Sequence, residues 1–209
     1  MLNRISLFAL LPGVHRRVNR RSSGPALYLT FDDGPHPTVT PKVLDMLERY
    51  AARATFFVIG ERALKYKSVA ADIVARGHRL GNHSFYHRRF DSLPVKQQLD
   101  EIRRTDDVLT EIDPGRPHAF RPPNGRASIA LLLRLHSEGF NTVLWSVDSK
   151  DYAHDNVRSI EILRQHSAKS GDIVLLHDDH EAVLEVLDAS LPRWASSRFI
   201  HPTIDSQIV

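Results

Sequence analysis

The run Thr30-Phe31-Asp32-Asp33-Gly34-Pro35 places two carboxylates in a row at the end of a short apolar stretch, residues 26–31, in which Tyr28, Thr30 and Phe31 favour a strand. Gly34-Pro35 stops that strand at once. Adjacent carboxylates repel unless a cation or a hydrogen-bond network compensates them, an arrangement that recurs in metal and acid/base sites. Successive side chains of an extended chain point to opposite faces, so Asp32 and Asp33 are expected to do different work. An Asx-type turn with both acids facing water is the alternative that these residues alone leave open.

Four further clusters carry residues of the same chemical kind. His83 and His87 are four apart, a spacing that on one helical turn brings both rings to one face, about 6 Å apart. With Asp33 they make a two-histidine, one-carboxylate set, which leaves coordination positions open for water on a catalytic metal. Asp32 is then available as a base. Arg121, stiffened by Pro122-Pro123, would keep a neighbouring carboxylate ionised, or else form a structural ion pair. His177 ends an apolar run and would serve as a general acid if a carboxylate such as Asp151 held it protonated. Leu175 lies two residues earlier, where it either walls an acyl pocket or is ordinary core. Base, acid and metal ligands together suit hydrolysis of an acetyl or amide group.

The elements that must position these groups alternate along the chain. Strands are expected at 26–31, 54–59, 78–82, just before Arg121, at 141–147, 172–176 and 199–204. Helices are expected at 41–52 (after Thr40 as cap), 61–75 (ending at Gly77), 94–112, 128–138, 157–169 and 181–194. This beat predicts one α/β domain, a small, irregular (β/α) barrel of about seven parallel strands. In such a barrel the site lies at the C-terminal strand ends, and Asp32, Asp33, His83, His87, Arg121, Asp148, Asp151 and His177 all fall there.

Composition narrows the remaining classes. The chain has 209 residues, 42% of them hydrophobic, enough for one full core. A net charge of +3 without a Lys/Arg stripe argues against nucleic acid as a partner. With no cysteine, any metal must be held by His, Asp or Glu. No glycine-rich nucleotide loop follows a strand. Residues 1–25 form a separate apolar and basic segment ahead of a catalytic domain at 26–209. Its apolar part, 5–14, is too short for the roughly 20 residues that span a bilayer. His15-Arg16-Arg17 stands where a signal peptide would be cleaved, so the expected location is the cytoplasm, at the inner face of the membrane, with export left open. The segment, with Arg16, Arg17, Arg20 and Arg21, would lie on an anionic membrane surface or cover the base of the domain. The other eight histidines read as structural or solvent-facing, and Trp145 and Trp194 as core and helix-packing residues.

As an ordered set the motifs resemble the polysaccharide deacetylases of carbohydrate esterase family four. The residues that carry the resemblance are Thr30-Phe31-Asp32-Asp33-Gly34-Pro35, His83-Ser84 with His87, Arg121-Pro122-Pro123, Asp148 with Asp151-Tyr152, and Leu175 with His177. The resemblance implies a deformed (β/α) barrel and removal of N-acetyl groups from an amino-sugar glycan or glycolipid, metal-activated water attacking the acetyl carbonyl. It implies a divalent metal, commonly zinc, on Asp33, His83 and His87, and Asp32 as base oriented by Arg121. It further implies His177 as acid paired with Asp151, Leu175 and Tyr152 around the acetyl group, and a backbone N–H near Asn124 on the oxyanion. Asn124 and Tyr152 stand where the family often has Tyr and Trp, which leaves open an O-acetyl esterase or a deformylase of a lipid-linked sugar, with a silent glycan-binding domain as a third reading. The expected partner is an acetylated glycan, oligosaccharide or lipid-linked sugar; no oligomeric state is readable.

Overall fold

The computed structural model describes residues 8, 10–18, 25–115, 117–197 and 199–204. In chain order the elements are β1 (Val14–His15), β2 (Leu27–Asp32), α1 (Val39–Arg49), β3 (Ala54–Val58), α2 (Gly60–Lys65), α3 (Lys67–Ala75), β4 (Arg79–Asn82) and α4 (Val95–Thr110). They continue with α5 (Ile129–Ser137), β5 (Thr142–Val143), β6 (Val147–Asp148), α6 (Asn156–Gln165), β7 (Asp172–His177) and α7 (Ala182–Ser196).

Five strands form a fully parallel sheet in the order β4-β3-β2-β7-β6. All six residues of β2 are buried, as its nearly unbroken apolar run requires of a strand covered on both faces. Val39, Val43, Leu44 and Leu47 of α1 and Val183, Val186, Leu187 and Leu191 of α7 recur at helical spacing and pack with Leu27, Leu29 and Phe31 of β2 in the main core. On the other face of the sheet Tyr28, Phe57, Val143 and Ile173 form an inner cluster. Register fixes the rim: Asp32 lies opposite Phe57 on one side and His177 on the other.

The circuit of strands is not closed. β1 and β5 pair in a separate two-stranded parallel sheet, and the chain before Arg121 makes only single bridges, Phe120 to Asn82 and to Thr142. The continuous strand expected at 141–147 divides into β5, which pairs with β1, and β6, which pairs with β7; at the break the carbonyls of Val143 and Leu144 accept from the Arg121 side chain. At the C-terminus the expected strand reduces to one bridge, Ile200 to Ala26, since Pro202 has no N–H to continue a ladder. The long helix expected at 61–75 breaks at Tyr66, whose φ of −113° and ψ of 47° are not helical; no glycine or proline marks the break. Thr40 does not cap α1: its hydroxyl donates to the buried Asp178, and the His36 Nδ1 accepts the Val39 N–H at the helix start.

The described part of the N-terminal segment lies against the domain. Phe8 and Val14 join a core with Phe120, Leu131 and Leu135, and Val18 joins the inner cluster. Arg17 pairs with the buried Asp172 at 2.7 Å, and the Val18 N–H donates to the Gly171 carbonyl. The membrane-surface reading of this segment also invokes Arg20 and Arg21, which lie outside the described residues, as does most of 1–9. Among the described residues no helix is long and apolar enough to cross a membrane.

Gly171 permits this docking. Its φ is +87°, and a Cβ there would stand 2.2 Å from the Val18 carbonyl oxygen. Gly171→Ala is therefore expected to lose about 1–3 kcal/mol of stability, read by urea denaturation, with faster proteolysis near Val18; an unchanged midpoint and digestion pattern would contradict the packing described.

Candidate active site

β2 ends at Asp32, and Asp33 turns into the left-handed region with φ 72°. The strict alternation expected of the two side chains fails at that residue, and both carboxylates reach the same cavity. They still differ in surroundings: Asp32 is buried beside Arg121, whereas Asp33 is partly open and its carbonyl accepts from Arg62 Nη1 at 2.6 Å. Gly34 is required next, because a Cβ on it would fall 2.3 Å from Asp178 Oδ1.

His83 and His87 do not share a helical turn. They sit on an irregular loop after β4, with Ser84 and His87 at φ 64° and 51°. Asn82 Oδ1 accepts the Ser84 N–H and Ser84 Oγ accepts the His87 N–H, and this bonding substitutes for a helix. The rings come to 5.0 Å between centroids. One ligand atom from each of Asp33, His83 and His87 lies within 4.8 Å of the others. His83 Nε2 and His87 Nε2 are 3.4 and 3.2 Å from Asp33 Oδ1.

Two observations show that this trio fits a cation. Asp33 Oδ1 is buried and accepts no hydrogen bond. The His83 Nδ1 lies 2.7 Å from the Arg121 carbonyl, an acceptor only, so Nδ1 carries the proton and the Nε2 lone pair faces Asp33. Burial lowers the His83 pKa to about 3, which keeps the ring neutral, as ligation demands. Two nitrogens and one carboxylate oxygen are a donor set that zinc accepts with positions to spare.

Arg121 is fully buried, and four contacts hold its guanidinium. Nη1 donates to Asp32 Oδ1 at 2.7 Å and to Thr30 Oγ1 at 2.8 Å, Nε to the Val143 carbonyl at 3.0 Å, and Nη2 to the Leu144 carbonyl at 3.2 Å. Its plane lies over the Phe57 ring, 4.0 Å from the centroid, and Gly81 leaves room for that ring, since a Cβ there would be 2.5 Å from it. Burial draws both partners toward neutrality, Asp32 up and Arg121 down, and their mutual attraction opposes this.

Asp151 is likewise fully buried. It accepts from Ser149 Oγ and the Tyr152 N–H, and its two oxygens meet His177 Nδ1 and the His177 N–H, each at 2.7 Å. Burial alone would lower the His177 pKa, but the hydrogen bond and charge of Asp151, with the charges of Asp32 and Asp33, raise it to about 9. His177 therefore enters neutral pH as a cation facing Asp32 across one strand pair.

Asp32, Asp33, His83, His87 and His177 line one cavity of about 350 Å³, while Arg121 and Asp151 are buried and reach it only through Asp32 and His177. Leu175 and Asn124 line it too, and Tyr152 stands at its mouth, about half exposed. Sequence reasoning missed Trp145, which lines the cavity and is not plain core, and Arg126. Trp145 lay inside a stretch that reads as one buried strand; only the split at Leu144 frees its ring. Of the eight histidines set aside, His78, His118 and His201 are buried and hydrogen-bonded, as expected of structural residues.

A family model described as polysaccharide deacetylase matches residues 19–143. The chain is 40% identical to a peptidoglycan-N-acetylglucosamine deacetylase of Bacillus cereus, over 84% of each sequence. It is 33% identical to a chitooligosaccharide deacetylase of Azorhizobium caulinodans, over 93% of this chain and 94% of that one. Its fold superposes on the crystal structure of the Bc1960 peptidoglycan N-acetylglucosamine deacetylase with a TM-score of 0.85 at 26% identity, covering 92% and 91% of the two chains.

The His177–Asp151 pair gives a direct expectation. Metal-free protein should show a His177 ring titrating near pH 9 by NMR, and Asp151→Asn should bring it well below that, because only the charges of Asp32 and Asp33 then oppose burial. Because the folded pKa exceeds the unfolded one, the stability this pair contributes is complete below pH 6.5 and is lost as pH rises through 9. Equal midpoints in both proteins would show that Asp151 does not hold the proton.

Proposed function

Because the chain belongs to the polysaccharide deacetylase family, we propose that it is a zinc-dependent hydrolase that removes N-acetyl groups from an amino-sugar glycan. The observation that carries this reading is the juxtaposition of a cation-ready trio, Asp33, His83 and His87, with an Asp32 paired to Arg121 and a His177 paired to Asp151 in one cavity. The relatives' substrates, peptidoglycan and chitooligosaccharide, share the acetamido sugar, so that unit is the substrate assigned here.

A divalent metal on that trio supplies Lewis-acid polarisation of water and of the acyl carbonyl. The remaining work belongs to the chain. Asp32, held as a carboxylate by Arg121, takes the proton of the attacking water; the ion pair also fixes its orientation, since Oδ1 is bonded to Arg121 and Oδ2 is left toward the cavity. In the turn at Pro123–Gly125 the N–H groups of Gly125 and Arg126 are bonded to Pro122 and Pro123, and Pro123 has none. The Asn124 N–H is not taken up inside that turn and is the donor assigned to the developing oxyanion. His177 gives its Nε2 proton to the departing amine, and Asp151 stabilises the imidazolium until then. Leu175 and Trp145 wall the acetyl methyl group, and Tyr152 meets the sugar at the mouth.

Metal-stripped protein should release acetate from N-acetylated oligosaccharides only when zinc is restored, and Asp32→Asn should lower kcat by about 10²–10⁴-fold with zinc still bound. Zinc-independent release, or a fully active Asp32→Asn, would contradict the assignment. Replacing His177 with Ala should cost far more on an acetamide than on 4-nitrophenyl acetate, whose leaving group needs no proton; equal losses would remove His177 from the acid role.

A further inference from the structure

The cavity does not end at Asn124. Asn124 and Arg126 also line a second depression of about 280 Å³, completed by Arg89, Phe90, Asp91 and Pro123. The short Asn124 side chain, where the resembled family often carries an aromatic, forms a low sill between the two spaces.

Charge in this depression is unbalanced. Asp91 is its one acid, and two guanidiniums share it: Arg89 Nε lies 3.9 Å and Arg126 Nη1 3.7 Å from its oxygens. Both distances lie within ion-pair range and beyond hydrogen-bond reach, so Asp91 occupies none of the donors of either arginine. Their side chains are 77% and 50% exposed. The acid on the catalytic side, Asp148, does not offset them, because Lys150 Nζ holds it at 2.6 Å. A neutral sugar entering here leaves one positive charge and two sets of planar donors unanswered, whereas a carboxylate answers both.

Resting on the deacetylase reading of the neighbouring site, we propose that Arg89 and Arg126 receive a carboxylate carried by the substrate beside its scissile acetamide. The enzyme thus prefers an acidic amino-sugar glycan to a neutral one. Arg126, which lines both spaces, is the specificity-determining residue, and Arg89 extends it outward.

The test uses zinc-loaded full-length protein and three N-acetylated tetrasaccharides of equal length: one bearing lactyl ether carboxylates, the same with those acids as methylamides, and one with a uronic acid neighbour. The expected kcat/KM ratio of acid to methylamide is about tenfold or more, carried by KM and shrinking with salt. Arg126→Gln and Arg89→Gln should each pull the ratio toward one, and Arg126→Lys should keep part of it. A wild-type ratio near one, or a ratio that survives both Gln substitutions, overturns the proposal. Preference for the uronic acid over the lactyl form identifies the source of the carboxylate. If no tetrasaccharide releases acetate, the deacetylase reading fails by itself, and calorimetric affinities for the acid and its methylamide decide the arginine proposal on the same ratio.

Discussion

A buried ion pair between Asp32 and Arg121 is the constraint on which the rest of this molecule depends. Removing two such charges from water costs several kcal/mol for each ion, so the pair persists only because further hydrogen bonds hold the guanidinium. Here the acceptors are Thr30 Oγ1 and the carbonyls of Val143 and Leu144. Those carbonyls lie at the break between β5 and β6, the side on which the strand circuit is open. The open side is the one that exposes Trp145 to the cavity. Through its own carbonyl Arg121 also sets the tautomer of His83. One residue thus ties together the architecture, the carboxylate proposed as base and an imidazole of the proposed metal trio.

The neighbours divide their labour by surroundings, not by residue type. Asp32 and Asp33 are adjacent and chemically equal, yet one has a guanidinium partner and the other an orphaned oxygen turned toward two imidazoles. His83 and His177 are both largely buried, and burial pushes both toward the neutral form. Of the two, only His177 has a carboxylate on its Nδ1, so it ends as a cation while His83 ends as a neutral imidazole. Opposite protonation states in one cavity are what the proposed acid and metal ligand require at one pH.

Much of this was legible in the sequence because it follows from local rules. Apolar runs closed by glycine or by charge located β2, β3 and β7, and the ring of polar residues at their ends located the cavity. Features settled by long-range contact were not legible. The 141–147 stretch reads as one strand because its own residues are apolar; its split follows a change of partner, from β1 to β7, that no local residue marks. The left-handed turn at Asp33 overrides the alternation that would have separated the two carboxylates. The break at Tyr66 has no marker residue, and Arg126 looks like any exposed arginine until the two depressions beside Asn124 are seen to meet.

The measurement that bears most directly on this account is X-ray absorption and anomalous diffraction at the zinc edge on zinc-loaded protein. The account predicts one zinc on two imidazole nitrogens and one carboxylate oxygen at about 2.0–2.2 Å, completed by solvent, with Asp32 still paired to Arg121 and the shell unaltered in Asp32→Asn. A zinc held by Asp32, or bound away from Asp33, His83 and His87, would contradict it.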